Sequence, residues 1–277
     1  MKYILSFILF CAGLLVASAQ SFRAATFNIR LQTTQDVGNE WQNRKHAVAQ
    51  LINFHEFDIF GVQEAFYSQM QDLQADLPQY RYIGVGRDDG QQKGEFSAVF
   101  YNPDRFELLS EGTFWLSDTD TQSPNKGWDA ALPRICTWGI FRDIQNGQEF
   151  IFMNTHFDHR GVQARIESGK LILAKAKELS NGLPIVLVGD FNVDEHSDAY
   201  TSLANSGIVK DSYVVAPFVY EPNSTFNGWG KSLKEKQRID HIFISPPFQV
   251  RKYGVLTDTY MGKFPSDHFP VMVDLNW

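Results

Sequence analysis

The sequence contains polar residues directly after an apolar segment, where a buried strand is predicted to end. Residues 185–188 are Ile-Val-Leu-Val, and Gly189, Asp190, Phe191 and Asn192 follow them. Because side chains alternate along an extended chain, Asp190 and Asn192 point the same way, out of the strand end. A carboxylate and an amide at such a position are costly to bury without partners, so the pair predicts a functional site.

Three other apolar segments end in the same way. The first ends at Asn28, the second at Gln63-Glu64, and the third at His156, with Asp158 and His159 just beyond it. Strands that end in Asn, Glu, Asp and His predict one shared polar pocket.

The segments between these groups predict the elements that position them. Helical spacing of apolar residues predicts helices over 41–54, 67–77 and 162–179. Strands are predicted over the other apolar segments, 57–63, 80–85, 97–101, 106–116, 135–144, 149–157, 239–245, 249–257 and 271–275. Many strands with few helices predict an α/β fold in which two packed sheets are flanked by helices.

The first 19 residues predict a secretory signal peptide. Lys2 precedes an apolar run from Ile4 to Val16, and the run ends in the small-residue cleavage pattern Ala17-Ser18-Ala19. The run is too short for a membrane span. We expect cleavage near Gln20 and export, and loss of Lys2 changes the formal charge from −7 to −8.

Residues 20–277 contain no linker, repeat or low-complexity tract, which predicts a single domain that we expect to be monomeric. Cys136 is the only cysteine that remains after cleavage, so an internal disulfide is excluded. Its place in a predicted strand favours a small core residue over a catalytic thiol.

Six short motifs follow one another in a recognisable order. They are Thr26-Phe27-Asn28, Gln63-Glu64, Asn154-Thr155-His156, Gly189-Asp190-Phe191-Asn192, Arg238-Ile239-Asp240-His241 and Ser266-Asp267-His268-Phe269-Pro270. In these motifs the chain resembles the endonuclease/exonuclease/phosphatase superfamily, which has the DNase I-like fold. Segments 115–117 and 127–134 resemble an exported bacterial branch of it. The resemblance implies a four-layer α/β sandwich of two central mixed sheets flanked by helices, and a periplasmic or extracellular bacterial protein.

Hydrolysis of a phosphate ester requires neutralisation of the phosphate, a nucleophile and a proton for the leaving oxygen. Glu64 is the predicted anchor for Mg²⁺ or Mn²⁺, because it is a hard carboxylate at a strand end. The resemblance implies that Asn28 and Asp267 complete or orient the metal shell. Arg30 stands where family members often carry an acidic residue, and this favours a single ion at Glu64.

The resemblance also implies catalytic roles. Asp190 is expected to orient and deprotonate the attacking water, and Asn192 to hold a phosphate oxygen. His268 is expected to contact the phosphate, while Asp240 fixes its tautomer and raises its pKa. His156 is the candidate general acid for the leaving oxygen.

Four further residues are predicted to support these groups. Glu95 occupies the place where nuclease relatives carry the carboxylate that supports such a histidine. Arg134 is predicted to be an exposed phosphate clamp, because a guanidinium presents two donors. His159 is a candidate phosphate ligand. Asp158 either serves the same cluster or caps the following helix.

Two long polar connections, 117–133 and 221–238, carry Trp128 and Trp229. Loops of this length are uncommon unless they are functional or disordered. The tryptophans therefore either bind substrate over the site or pin the loops to the body of the protein.

The sequence leaves the substrate open. The mature charge lowers the expectation of duplex nucleic acid, and no long apolar hairpin suggests stable membrane insertion. We expect an exported metal-dependent phosphoesterase that attacks a phosphodiester or phosphomonoester with an activated water. The alternative is an exported nuclease on RNA or single-stranded DNA. A non-catalytic binding protein is disfavoured, because the predicted acids and histidines are all present.

Overall fold

The computed structural model describes residues 21–221, 223–233 and 237–277, and the predicted signal peptide at residues 1–19 lies outside them. The strands are β1 (Phe22–Asn28), β2 (Ile59–Ala65), β3 (Arg81–Ile83), β4 (Phe96–Tyr101), β5 (Phe106–Trp115), β6 (Ile135–Asp143), β7 (Glu149–His156), β8 (Ile185–Asp190), β9 (Lys210–Asp211), β10 (Val219–Tyr220), β11 (Asp240–Ile244), β12 (Gln249–Val255) and β13 (Val271–Asn276). The helices are α1 (Trp41–Phe54), α2 (Tyr67–Asp76), α3 (Val162–Ser180), α4 (Asp198–Ala204) and α5 (Ser212–Val215).

The strands form two mixed sheets. The first sheet has the order β10-β12-β13-β1-β2-β4-β3, and the second has the order β5-β6-β7-β8-β11-β9. Each has a parallel pair at its centre, β1–β2 in the first sheet and β7–β8 in the second. Antiparallel strands flank both pairs, so the ends of β1, β2, β7 and β8 bring the predicted polar residues into one region.

Three apolar clusters separate four layers. One lies between the sheets and includes Phe150 and Val188. A second packs α1 and α2 on the first sheet, and a third packs α3 and α4 on the second. The four-layer α/β prediction is therefore confirmed. Cys136 is buried in the third cluster, as expected for a core residue.

The long elements agree with the sequence predictions to within about two residues, since their apolar spacing extends over many positions. The short elements α4, α5, β9 and β10 were not predicted, because two to seven residues carry too little periodicity. Within the described ranges, none of the helices has the length and apolar character that a bilayer crossing needs.

A buried polar layer separates the apolar core from the strand ends. Asn154 donates to the backbone oxygens of Val62 and Ala98 at 2.9 Å and 2.8 Å, which ties the second sheet to the first. Its Oδ1 accepts a hydrogen bond of 2.6 Å from Gln63. Gly61 makes room for this bridge, since a Cβ there would lie 2.5 Å from the Asn154 side chain.

Candidate active site

Strand alternation places the predicted polar residues between the sheets. Phe152 and Val188 belong to the cluster between the sheets, so His156 and Asp190 extend from the same faces of β7 and β8. Asn28 likewise lies four residues beyond Ala24 on the inner face of β1. The predicted polar residues at the ends of β1, β7 and β8 therefore all lie on the strand faces that point between the two sheets.

Glu64 reaches the pocket by a different route. Phe60 and Val62 pack in the cluster under α1 and α2, so strict alternation would turn Glu64 away from the site. Instead Glu64 has a φ of 65°, and the β2–β4 register is irregular between Val62 and Ala65. This β-bulge redirects the carboxylate into the pocket, a common use of bulges near active sites.

Asn28 joins carboxylates that come from the two sheets. Its Nδ2 donates to Glu64 Oε1 at 3.0 Å and to Asp190 Oδ2 at 2.9 Å. Its Oδ1 accepts a 3.0 Å hydrogen bond from the Arg30 amide. In this arrangement the amide orients the two carboxylates through its nitrogen.

Asp190, His268 and Asp240 form a buried charged row. The Nδ1–H of His268 donates to Asp240 Oδ2 at 2.9 Å, and its Nε2 lies 3.8 Å from Asp190 Oδ2. Burial opposes the charge on His268, but Asp240 and Asp190 outweigh burial and raise its pKa to about 10. Burial and the charge of Asp240 raise the pKa of Asp190 to about 7. His268 is therefore a cation at neutral pH, and Asp190 can exchange a proton there.

Glu64 and Asp267 have opposite shifts. Burial opposes the ionisation of Glu64, but the hydrogen bond from Asn28 and the nearby His268 outweigh burial and lower its pKa. Burial and the charge of Glu64 raise the pKa of Asp267 despite the adjacent His268. Glu64 is therefore the better anionic ligand.

His156 is held in a neutral state. Burial and the charges of Arg134 and Arg87 keep its pKa well below its ordinary value. Asn192 Nδ2 donates both to the Phe157 carbonyl and to His156 Nε2, each at 3.0 Å. This contact makes Nε2 an acceptor, so the proton of the neutral ring lies on Nδ1.

Glu95 lies beside His156 but does not hydrogen-bond to it. Its Oε2 is 3.8 Å from His156 Nδ1, which has no hydrogen-bond partner in the described part of the chain. Arg87 instead binds both oxygens of Glu95, at 2.7 Å and 2.8 Å. Sequence reasoning missed Arg87, because an arginine in a polar loop carries no pattern that distinguishes it.

Arg134 is buried rather than exposed, so the expectation of an exposed clamp is wrong. Its side chain is 4% exposed, Nε donates to Asp158 Oδ2 at 3.3 Å, and Nη2 lies 3.0 Å from His159 Nδ1. Its Nη1 has no hydrogen-bond partner among residues 21–221, 223–233 and 237–277. The residue borders the cavity described below and offers a fixed donor there.

Asp158 positions Arg134 and closes the turn before α3. Besides Arg134, it accepts hydrogen bonds from the amides of Leu132, Arg160 and Gly161 at 2.8–3.2 Å. Burial raises its pKa, but backbone hydrogen bonds from Gly161, Ala131 and Arg160 outweigh burial and lower it. The N-cap of α3 is Gly161, and its first-turn amides bind Asp129 instead. Asp158 therefore contacts the predicted site through Arg134 and does not bind the first-turn amides of α3.

The two tryptophans occupy different positions. Trp229 lines the cavity, whereas Trp128 does not, and the Trp128 amide binds Asp118 at 3.0 Å. Trp229 has a φ of 60° and lies between Gly228 and Gly230, which also have positive φ. The Trp229 ring stacks on Arg44, whose guanidinium carbon is 5.4 Å from the ring centre.

These groups surround a cavity of about 610 Å³. Ten predicted site residues line it, namely Glu64, Glu95, Arg134, His156, His159, Asp190, Asn192, Trp229, Asp267 and His268. Asn28, Asp240 and Asp158 lie behind them and hold them by hydrogen bonds. Phe226 and Asp36 also line the cavity and belong to loops rather than to strand ends, and sequence reasoning did not include Asp36.

The donor set fits a hard divalent cation. Ligand atoms of Glu64, His156 and Asp190 lie within 4.8 Å of one another. Those of Asp190, Asp240 and His268 do as well, but the protonated His268 has no lone pair for a metal. Carboxylate oxygens suit Mg²⁺ and Mn²⁺, and imidazole also suits several transition metals. Glu64 is the best-placed anchor, because its carboxylate is anionic and faces the cavity.

Comparison with known proteins identifies the family. The model of the endonuclease/exonuclease/phosphatase family matches residues 25–268. The chain belongs to this family. Its members are phosphoric ester hydrolases of phosphatase and nuclease type that generally depend on divalent metals.

Solved structures of the endonuclease/exonuclease/phosphatase family resemble the chain closely. A mannosyl-6-phosphatase of Bacteroides thetaiotaomicron is 47% identical, with a TM-score of 0.90, and the match covers 92% of this chain and 100% of that chain. A family protein from Bacteroides vulgatus is 42% identical, with a TM-score of 0.89, and the match covers 93% and 99%.

A more distant relative in sequence is the 3′-5′-exoribonuclease subunit Ccr4 of the CCR4-Not complex of Mycosarcoma maydis. It is 22% identical over 94% of this chain and 51% of its own length. The family therefore includes relatives that act on a sugar phosphate and on RNA.

Proposed function

We propose that this protein is a divalent-metal-dependent phosphatase that releases inorganic phosphate from a sugar phosphate monoester. The observation that carries the proposal is the convergence of an anion clamp, a charged histidine and a proton acceptor in one cavity. These are Arg134, His268 and Asp190. The 47% identity to a mannosyl-6-phosphatase supports the choice of ester.

The chain's own residues account for binding and proton transfer. The bound ion supplies neutralisation of the phosphate oxygens. Arg134 offers donors to those oxygens, and the charged His268 stabilises the negative charge that grows on them. Each of these groups is held by a neighbour before substrate arrives, so little reorganisation is needed.

Asp190 is the proton acceptor for the attacking water. With a pKa of about 7 it is largely ionised above neutrality and can still take up a proton. Its Oδ2 lies 3.5 Å from His156 Nε2. After the attack, protonated Asp190 can return this proton to the leaving oxygen, while neutral His156 is held beside it by the Asn192 hydrogen bond to Nε2.

The remaining wall of the cavity fits a hydroxylated ring. Trp229, Phe226 and Leu132 provide apolar surface, while the paired side chains of Arg30 and Asp36 provide donors and acceptors. A pyranose has an apolar face and a rim of hydroxyl groups, so both surfaces have a counterpart in it. This match supports a sugar as the leaving group.

A nuclease acting on RNA or single-stranded DNA is the second candidate. The aromatic side chains of Trp229 and Phe226 favour it, because bases stack on such platforms. The formal charge of −7 for the whole chain disfavours a nuclease, because binding the phosphates of a nucleic acid requires clustered cationic side chains.

The products released separate the two candidates. We would measure inorganic phosphate from a hexose 6-phosphate and glycerol 3-phosphate, nitrophenol from bis(4-nitrophenyl) phosphate and shortened chains from single-stranded RNA, each with Mg²⁺ and after chelation. The hexose phosphate should be hydrolysed fastest, chelation should abolish its hydrolysis, and Glu64→Gln should slow it at the same Mg²⁺ concentration. Arg81→Gln removes an exposed arginine on β3 and is the control for loss of one positive charge. Faster cleavage of RNA than of any monoester would contradict the proposal.

We also propose that the protein is exported after cleavage near Gln20, as the pattern in residues 1–19 predicts. Mass spectrometry of protein recovered outside the cytoplasm would give the first residue. Exported protein that retains Met1 would contradict cleavage.

A further inference from the structure

Arg30 lies among three carboxylates at the acidic end of the cavity. It binds Asp36 through Nε at 2.8 Å and Nη2 at 3.2 Å. Its Nη1 lies 3.5 Å from Glu64, and its Nε lies 3.8 Å from Asp267. One guanidinium therefore contacts the predicted metal anchor and both neighbouring acids.

The backbone of Arg30 is held so that the side chain stays there. Its φ is 59°, a left-handed conformation that is unfavourable for residues with a side chain. Its amide binds Asn28 Oδ1 at 3.0 Å, and its carbonyl accepts from Arg44 Nη2 at 2.7 Å and Gln69 Nε2 at 2.9 Å. Three buried side chains thus stabilise a strained residue, which distinguishes Arg30 from an incidental surface ion pair.

The Arg30 guanidinium places a fixed positive charge among the acids of this group. It offsets one of the three negative charges that Asp36, Glu64 and Asp267 carry when ionised. A second divalent ion among these acids would lie beside that charge in a partly buried site, where like charges repel strongly.

We infer that Arg30 is a built-in cation that limits this site to a single divalent ion. The guanidinium occupies the acidic region that a second ion would need, while leaving the cavity side of Glu64 available to the first. The inference rests on the proposed function only in requiring a divalent ion.

Metal stoichiometry tests this without reference to activity. We would titrate metal-free protein with Mn²⁺ by calorimetry and record electron paramagnetic resonance spectra, in which two adjacent Mn²⁺ ions give a coupled signal. The wild type should bind one ion with an uncoupled spectrum. Arg30→Gln, which keeps the length but loses the charge, should bind two, with the first at least about tenfold tighter.

Three control variants separate charge from shape. Arg30→Lys retains the charge and should bind one ion, with an affinity close to that of the wild type. Arg81→Gln removes an exposed arginine on β3 and should also bind one ion. Glu64→Gln should weaken the first ion and so locate it. Circular dichroism would show that each metal-free variant is folded.

Two ions in the wild type, or unchanged stoichiometry and affinity in a folded Arg30→Gln variant, would overturn the inference. Neither result would affect the proposed phosphatase function. Conversely, a wild type that binds one ion but hydrolyses no phosphate ester would overturn the function and leave the inference standing. A wild type that binds no ion would overturn both.

Discussion

His268 donates a buried hydrogen bond of 2.9 Å from Nδ1 to Oδ2 of Asp240. Asp240 pairs with Asp190 across β11 and β8, so the imidazole ring lies between two carboxylates. Neither carboxylate has an adjacent arginine or lysine partner among the described residues. His268 is therefore the cation that stabilises both of them.

The charge on His268 should make the stability of metal-free protein depend on pH. Its pKa rises from 6.5 in the unfolded chain to about 10, so its contribution is complete below pH 6.5 and is lost as pH rises through 10. His268→Gln lacks this contribution. Urea unfolding of both proteins should show a stability difference that shrinks over this range, and a constant difference would contradict the prediction.

Glu64→Gln and Asp190→Asn should fail in different ways. The first removes ligand charge and weakens metal binding, so high Mg²⁺ or Mn²⁺ should restore part of the rate by mass action. The second keeps the hydrogen bond from Asn28 but cannot accept a proton, so roughly 10²–10⁴-fold is lost at any metal concentration. Initial rates against metal concentration would show this contrast. Rescue of Asp190→Asn but not Glu64→Gln would reverse the two roles.

Arg134→Ala should reduce both activity and stability, because the side chain is 4% exposed and bound to Asp158. The loss of a charged hydrogen-bond partner should lower the free energy of unfolding by about 1–3 kcal/mol. Asp158 keeps three backbone donors, which limits the effect. Thermal unfolding and steady-state kinetics would be measured together. Unchanged stability would mean that the ion pair contributes little to the fold.

Trp229→Ala should discriminate between leaving groups. Loss of the aromatic wall should lower kcat/KM for a hexose 6-phosphate roughly tenfold to a hundredfold, with little change for glycerol 3-phosphate, which has no ring. Trp128→Ala is a matched control, because Trp128 also has a positive φ in a long loop but does not line the cavity. An equal decrease in kcat/KM for both esters would show that Trp229 stabilises the structure of the site and does not contact the sugar.

Local pattern was sufficient to predict the strand ends. His156 and Asp190 follow long apolar strands whose alternation already determines which way the side chains point. The direction of Glu64 was not predictable, because it depends on a bulge formed only when β2 pairs with β4.

Long-range contacts account for the other differences. Arg134 is 24 positions from Asp158 in sequence, and its burial depends on how the loop before β6 packs. Arg87 is significant only because it binds Glu95 beside His156. No local spacing encodes either contact.

The site between the sheets also bears on how the protein folds. Asn28 is 162 positions from Asp190 and 240 from His268, so its contacts close very long loops. Contacts between residues far apart in sequence slow folding, because the chain loses conformational entropy in closing the loop before such a contact forms. Neighbouring strands such as β5, β6 and β7 can pair before the strand-end polar groups meet. Recovery of activity during refolding should therefore lag behind recovery of secondary structure and report the docking of the two sheets.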